Sequence, residues 1–422
     1  MSEQRTVLLV SYHFPPRGER SAVRSVNIAR TLAAMGWKVV VLCCMPDGTT
    51  VRDDDWSATL EGEGIHIYTT PSNRTPVPLR DGLIHVPSPA MQSFRQWVLQ
   101  WKRQPDVHIA WEREAYTMAK RIMSEHYVNV VLASAPPFST YVIARRIASD
   151  YGIPFAIDVA GEWLENPALM YPTPMHRSSV VALEEALVKQ AGIVFATNRL
   201  KKEDMLRRHR FLTHEEIVIA PHGFYDDDVT NRGIHDTSHC TITHYADFTN
   251  GLTPKYMLKA LRLLFTKRAD IRSQLIVNIV GLARQQHRKL SKKYGLNDCV
   301  RFFDTVNRRT ALSVCAESNV LWLAAEHDAP ASNALMGEYL GFAKPIFLTS
   351  PSGTLLNTAK ESNAVFHAGY TDVKAIAQQV ENIFDAWKSS QLPRANQQHL
   401  DTLSYKTIGK DISRSLGMIM RL

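Results

Sequence analysis

TVLLVSYHFPPRGERSAVRSVNIARTLAAMGWKVVVLCC, residues 6–44, holds the pattern that decides the fold. Thr6–Ser11 is a continuous apolar run, as in a strand buried on both faces. Tyr12–Arg20 follows with two prolines and Gly18, which exclude regular structure. Ser21 is placed to cap a helix whose apolar stripe is Ala22, Val26, Ala29, Leu32 and Ala33. Gly36 ends that helix, and Lys38–Cys44 is a second apolar strand. Strand, loop, helix and parallel strand make a βαβ unit, and open sheets of this kind take ligands beyond the carboxyl ends of their strands. The loop lacks GxGxxG, which argues against a nicotinamide or flavin dinucleotide.

The alternation continues outward. Ile65–Thr69, Asn129–Ser134, Pro154–Asp158, Ile193–Thr197 and Ile217–Ala220 read as further strands, with helical stretches between several of them. Residues 71–89, with five prolines, read as a long loop. The aromatic and basic segment 94–121 reads as helix. The polar, acidic run Phe224–Ser238 breaks the rhythm and reads as a linker. A second alternation follows, with strands at Thr241–Tyr245, Leu275–Val280, Val300–Phe303, Val320–Ala324, Pro345–Leu348 and Ala364–Phe366. The expected organisation is an N-terminal Rossmann-like domain over 1–222, a linker over 223–240, a second such domain over 241–398, and a segment 399–422. The helix in that last segment crosses back to the first domain. The fold class is α/β, with parallel doubly wound sheets.

Composition narrows the function. The 422 residues are 45% apolar and 21% charged, as in a soluble globular protein. No run approaches the roughly 18 apolar residues that a membrane-crossing helix needs. The N-terminus enters a strand without a signal-peptide layout. Five cysteines without metal-type spacing fit a reducing cytoplasm, and no metal site is expected; with no dinucleotide fingerprint either, no cofactor is expected. The net charge of +8 is unevenly spread. Residues 199–210 carry six basic and two acidic side chains; residues 94–121 mix Arg95, Lys102, Arg103, Lys120 and Arg121 with Trp97, Trp101 and Trp111. Solvated helix faces are one reading of these stretches, and contact with an anionic membrane surface is another. Residues 405–421 could form an interfacial helix by the same logic. No nucleic-acid motif accompanies the charge.

ASNALMGEYLGFAKPIF, residues 331–347, is the second informative stretch. A helix starting near Ser332 and Asn333 would aim N–H groups and partial positive charge at a phosphate. Glu338, a turn further in, could accept two hydrogen bonds from a ribose diol. A solvated Glu on an ordinary amphipathic helix is the alternative.

Residues 8–42 resemble the N-terminus of GT-B glycosyltransferases of the large retaining family four. PDVHIAWEREA, VVLASAPPFSTYVIARRIA, PFAIDVAGEWLENP, IVIAPHGF, VGLARQQHRKLSKKYGLNDCVRFFDTV and SNALMGEYLGFAKPIF resemble that family's later motifs in order. The resemblance covers nearly the whole chain. It implies a GT-B fold, two Rossmann-like domains facing a central cleft. It also implies metal-independent, retaining transfer of a sugar from a UDP- or GDP-sugar to an acceptor hydroxyl on a glycan, a lipid-linked molecule or a small molecule. The setting it implies is bacterial surface-glycan or glycoconjugate synthesis, in the cytoplasm or at the inner membrane face.

The residues can be placed in that scheme. Growing charge on a leaving diphosphate calls for cations and N–H donors. Arg284, Lys255, Gly18 and Arg20 are candidates, with Ser332 and Asn333 beside the diphosphate. Thr305 and Val306 would meet the nucleobase, and Glu338 the ribose. On the acceptor side, Asp158 could take the acceptor proton or bind its hydroxyls, with Glu162 nearby. His13, Arg24 and Trp163 would contact the acceptor. For Asp158, Glu162 and His13 a purely structural role is the alternative; His222 reads as structural. The chain departs from the family pattern at Ala160, where Arg is common, and at Leu335, where a Lys is usual. It departs again at Pro330, where many members are acidic, and at Ala246 or Asp247 in place of a Gly. These changes thin out phosphate and sugar binding. A non-catalytic GT-B-like protein that binds a nucleotide sugar or glycan is therefore the runner-up. A GT-B-shaped epimerase or phosphorylase is third, without a pyridoxal-lysine motif to support the latter.

Overall fold

The computed structural model describes residues 4–47, 52–72, 97–161, 163–164, 169, 171–229, 233–234, 238–248, 252–281, 285–303, 306–326 and 330–421. The chain divides into two compact units. One comprises Met1–Pro221 with Tyr405–Leu422, and the other His222–Ser404.

The first unit is built on seven strands: β1 (Thr6–Val10), β2 (Lys38–Cys44), β3 (Ile65–Thr70), β4 (Val130–Ala135), β5 (Phe155–Val159), β6 (Ile193–Ala196) and β7 (Ile217–Ile219). They pair in parallel in the order 3-2-1-4-5-6-7. Leu8 of β1 lies opposite Val40 of β2 and Val131 of β4. Every residue of β1, β4 and β5 is buried, which explains their unbroken apolar runs. Burying each such Val or Leu contributes about 1.5–3 kcal/mol.

The second unit repeats the plan with β8 (Cys240–Tyr245), β9 (Leu275–Val280), β10 (Val300–Phe303), β11 (Val320–Ala324), β12 (Ile346–Thr349) and β13 (Val365–Ala368). Its order is 10-9-8-11-12-13, again parallel. In each sheet the order reverses beside the first strand, between β1 and β4 and between β8 and β11. Loops leaving the carboxyl ends of those strands border the crevice where such sheets bind ligands.

The helix of residues 405–419 belongs to the first unit. Its Ile408, Ile412, Leu416 and Ile419 are buried there. Gly409 makes the close approach possible, because a Cβ at that position would lie 1.7 Å from Thr31 Cγ2 on the helix Val23–Ala34. Trp37 Nε1 donates to Ser413 Oγ at 2.9 Å. The apolar face expected of an interfacial membrane helix is thus covered by the protein itself. Among the described residues no helix is long and apolar enough to cross a membrane.

Four local expectations change. Ser21 does not cap the first helix: its hydroxyl donates to Glu19 Oε2, and the helix Val23–Ala34 starts without a side-chain cap. Within 94–121, Pro105 and Asp106 interrupt the helix, and a separate helix, Glu112–Glu125, follows a 3-10 turn at Val107–Trp111. Asp106 is buried, accepts from His108 N and Ser139 Oγ, and so stitches that break to the helix Ser139–Tyr151. The run read as a linker starts inside the second unit, where Phe224 is buried and bridges Ser404. The helix Gln397–Leu403 also stays with the second unit. The part of the expected 71–89 loop beyond residue 72 lies outside the described residues, as does the start of the 94–121 segment.

Candidate functional site

In the first unit the loop after β1 is wired from within. Arg17 is buried and donates to Met45 O at 2.8 Å and to Glu19 Oε1 at 2.9 Å. Its guanidinium sits 5.0 Å from the centre of the Tyr12 ring, a cation–π contact. Glu19 takes His13 Nδ1 on its other oxygen at 2.5 Å. Burial alone would raise the Glu19 carboxyl; His13 and Arg17 outweigh it and hold the group well below the usual range. The loop is therefore a fixed His13–Glu19–Arg17 chain at the carboxyl edge of the sheet. Neither Arg17 nor Glu19 was anticipated from the sequence; their charges sit among Pro15, Pro16 and Gly18 without a recognisable spacing. Gly18 and Arg20 are on the same loop, both partly buried.

Asp158 is fully buried on β5. Arg24 Nε and Nη2 donate to its two oxygens at 2.9 and 2.6 Å, and Ser134 Oγ donates to Oδ2 at 2.8 Å. Arg24 also donates to Ala220 O and Pro221 O. Burial opposes the Arg24 charge, but Asp158 more than offsets this and the guanidinium is held above its usual range. The pair ties β5, β4, the first helix and the exit of β7 together. This geometry gives Asp158 and Arg24 a bracing role in place of the proton-accepting and acceptor-binding roles expected: a carboxylate filled by three donors in the core cannot receive an acceptor proton. Trp163 is likewise a core ring, 2% exposed and stacked on Phe138 at 4.7 Å, and its buried Nε1–H has no hydrogen-bond partner among the described residues. Glu162 lies outside the described residues.

In the second unit the site is built around the helix Pro330–Gly341. Two glycines seat it. A Cβ at Gly337 would lie 2.8 Å from Gly223 N, and one at Gly341 would strike the Phe224 ring. Tyr339 fixes the helix from another side: its hydroxyl accepts from Tyr245 N at 2.7 Å and donates to Trp322 O at 3.4 Å. With residues 337, 339 and 341 all anchored, the direction of Glu338 is set. It points at Arg308, with which it forms a buried ion pair. Arg308 Nη2 also donates to Asp228 Oδ2 at 3.0 Å. Burial alone would lower the Arg308 pKa; Glu338 and then Asp228 reverse this and raise it. Glu338 is thus neither a solvated residue nor an isolated one. Arg308, which opens a helix with no family motif around it, escaped the sequence reading.

Around this helix, Ser332 is buried and Asn333 half-buried. Val306 is half-buried, and Lys255 is exposed at the start of its helix. Arg284 and Thr305 lie outside the described residues. Leu335, where a lysine was the usual residue, is core, 4% exposed. Gly281 ends β9 with φ +125°, and a Cβ there would lie 2.8 Å from Ala246 O and 2.9 Å from Asp247 Oδ1. The tight backbone approach at this turn thus comes from Gly281, across from the positions where the glycine was missing. Among the described residues no cluster of His, Cys, Asp or Glu could hold a metal ion.

Comparison with known proteins agrees with this architecture. Residues 21–223 match the family model described as a glycosyl transferase 4-like domain. No curated protein sequence matches the chain. Among solved structures, Anabaena HepE in complex with UDP superposes with a TM-score of 0.61 at 11% identity, over 98% of this chain and 100% of the other. Sucrose-phosphate synthase from Thermosynechococcus elongatus gives 0.59 at 13% identity, over 99% and 95%. A UDP-N-acetylglucosamine 2-epimerase gives 0.57 at 12%, over 99% and 95%. Identities this low speak to the fold, and by its two parallel sheets and the match of residues 21–223 the chain is a GT-B fold protein that resembles the family-four glycosyltransferases.

Proposed function

We propose that this protein is a retaining glycosyltransferase that moves a sugar from a nucleotide-diphosphate sugar to an acceptor hydroxyl. The observation that carries this is the match of residues 21–223 to a glycosyl transferase 4-like domain on a GT-B fold. HepE, of the same fold, was seen with UDP, so UDP is the first donor nucleotide to try and GDP the second. In this reading the second unit holds the nucleotide. Glu338, aimed by Gly337, Tyr339 and Arg308, accepts from the ribose hydroxyls; Val306 and Thr305 border the base. Ser332, Asn333, Lys255 and Arg284 are the groups of this unit that meet the diphosphate; within the first unit, Gly18 and Arg20 are the anion-binding groups of the loop after β1. His13, oriented by Glu19, serves the acceptor.

Transfer then proceeds on one face of the sugar. The acceptor oxygen bonds to the anomeric carbon as that carbon's bond to the diphosphate oxygen breaks. The bonding pair leaves with the diphosphate, and the acceptor proton passes to a phosphate oxygen. No protein nucleophile and no metal take part, so Asp158 is free to remain a brace. The biological setting we propose is synthesis of a bacterial surface glycan or glycoconjugate, in the cytoplasm and at a membrane surface.

Calorimetric titration with UDP and GDP tests the donor half. We expect binding by the wild type, weakened about tenfold or more in Glu338→Gln by loss of one charge-assisted hydrogen-bonding group. Equal binding by both proteins would overturn the role of Glu338. Binding of neither nucleotide would overturn the donor assignment. The second reading, a nucleotide-sugar binder without transfer activity, is favoured by the burial of Leu335 where a phosphate-binding cation is usual. Tight donor binding with no transfer or hydrolysis across a panel of UDP- and GDP-sugars would select it.

A further inference from the structure

Four of the eleven exposed large apolar side chains among the described residues fall within five consecutive positions: Trp97, Val98, Leu99 and Trp101, each 39–48% exposed. Trp97 and Trp101 meet edge to face at 5.8 Å. Trp101 in turn contacts the His176 ring at 5.2 Å, and His176 shares a hydrogen bond with Trp101 O. This joins residues 97–103 to the start of the helix Pro174–Gln190, where Met175 is 79% exposed. Exposed Lys102 and Arg177 and the half-buried Arg103 belong to the same surface. No acidic residue occurs in 97–105 or 171–183.

We propose that this surface of the first unit docks on an anionic lipid bilayer. The inference rests on the membrane-surface setting proposed above and names the residues that make the contact. Indole rings combine an apolar body with a polar N–H and settle at the headgroup level of a bilayer. Basic side chains beside them gain from the negative surface potential of anionic leaflets. Met175 adds an unhindered apolar contact. The two other basic stretches carry no indole. On the helix Arg199–Arg208, arginines pair with Glu203, Asp204 and Glu184, and Lys202 donates to His214 O and Ile217 O. The helix Tyr405–Ile419 buries its apolar face in the protein.

Flotation of the full-length protein with phosphatidylcholine vesicles, with and without phosphatidylglycerol, tests this. The wild type is expected to float only with the anionic vesicles, less so as salt rises. Lys102→Glu/Arg177→Glu should weaken the association by about tenfold or more. Trp97→Ser/Trp101→Ser should do the same and should abolish quenching of indole emission by brominated lipid. Both variants change exposed side chains, so thermal melts that match the wild type exclude misfolding, and UDP titration reports independently on the donor site. No flotation by the wild type would overturn membrane association as a whole. Flotation unchanged in both variants would overturn this surface alone. A wild-type dimer that the Trp97→Ser/Trp101→Ser variant converts to a monomer would make the surface a self-interface and also overturn the proposal.

Discussion

Two carboxylates, Asp158 and Glu338, were both candidates for chemistry, and the structure places each against a buried arginine. For Asp158 the pairing closes the site, since Arg24 and Ser134 fill both oxygens. Asp158→Ala is expected to cost about 3–5 kcal/mol in urea unfolding, because Arg24 is left charged and unpaired in the core. Asp158→Ala with Arg24→Met should recover part of that loss, and a purely additive double variant would count against the brace. For Glu338 the same argument explains the choice of Gln as the functional probe. Alanine would strand Arg308 as well as remove the ribose partner, and a lower affinity would then have two causes. Asp228→Asn is a useful companion. It loosens Arg308 without touching Glu338, and a nucleotide affinity that falls severalfold would show that the aim of Glu338 depends on its neighbours.

At the scale of elements, glycines decide how closely helices dock. Gly409→Ala drives a methyl into Thr31, and a loss of about 1–3 kcal/mol is expected. Thr31→Ser removes the colliding Cγ2 and should restore much of it, which a denaturant series on the single and double variants would measure. The helix Arg308–Ala316 is closed at its C-terminal end by Lys344, whose buried Nζ donates to Ala316 O at 2.7 Å and to Ser318 O at 2.5 Å. Burial pushes the Lys344 ammonium down to about 8 from its ordinary 10.5. For a base, a lowered folded pKa means that the native state binds fewer protons than the unfolded chain between those values. Stability attributable to Lys344 therefore rises with pH from about 8 to 10.5 and is lowest below that window. Comparing wild type with Lys344→Met by urea unfolding across this range isolates the effect: the slope should be present in the wild type and absent in the variant. The helices Val23–Ala34 and Tyr405–Ile419 were legible from their apolar periodicity, but Lys344 was not, since a lysine beside a Pro-led strand reads as surface.

For the whole molecule, two units with separate cores predict unfolding that is not two-state. Residues 405–422 belong to the first unit although they follow the second. Removing them would uncover the face of the helix Val23–Ala34 that Gly409 approaches. Hydrogen exchange on the chain ending at Ser404 should then rise in that helix and in β6 and β7, with β8–β13 unchanged. Uniform loss of protection in both sheets would refute the assignment.

The sequence by itself determined the strands, their parallel pairing into two α/β units and the return of the last helix, because buried parallel strands and amphipathic helices write local, periodic patterns. It offered Glu338 and His13 as candidates by residue type and place, each beside a structural alternative. Only the tertiary structure decided what those residues touch. Arg308, Glu19 and Arg17 come from segments without a motif. Asp158 looks reactive at a strand end until Arg24, 134 positions away in sequence, fills it. Ion pairing and burial depend on neighbours that the fold brings together from distant parts of the chain, and no local pattern records them.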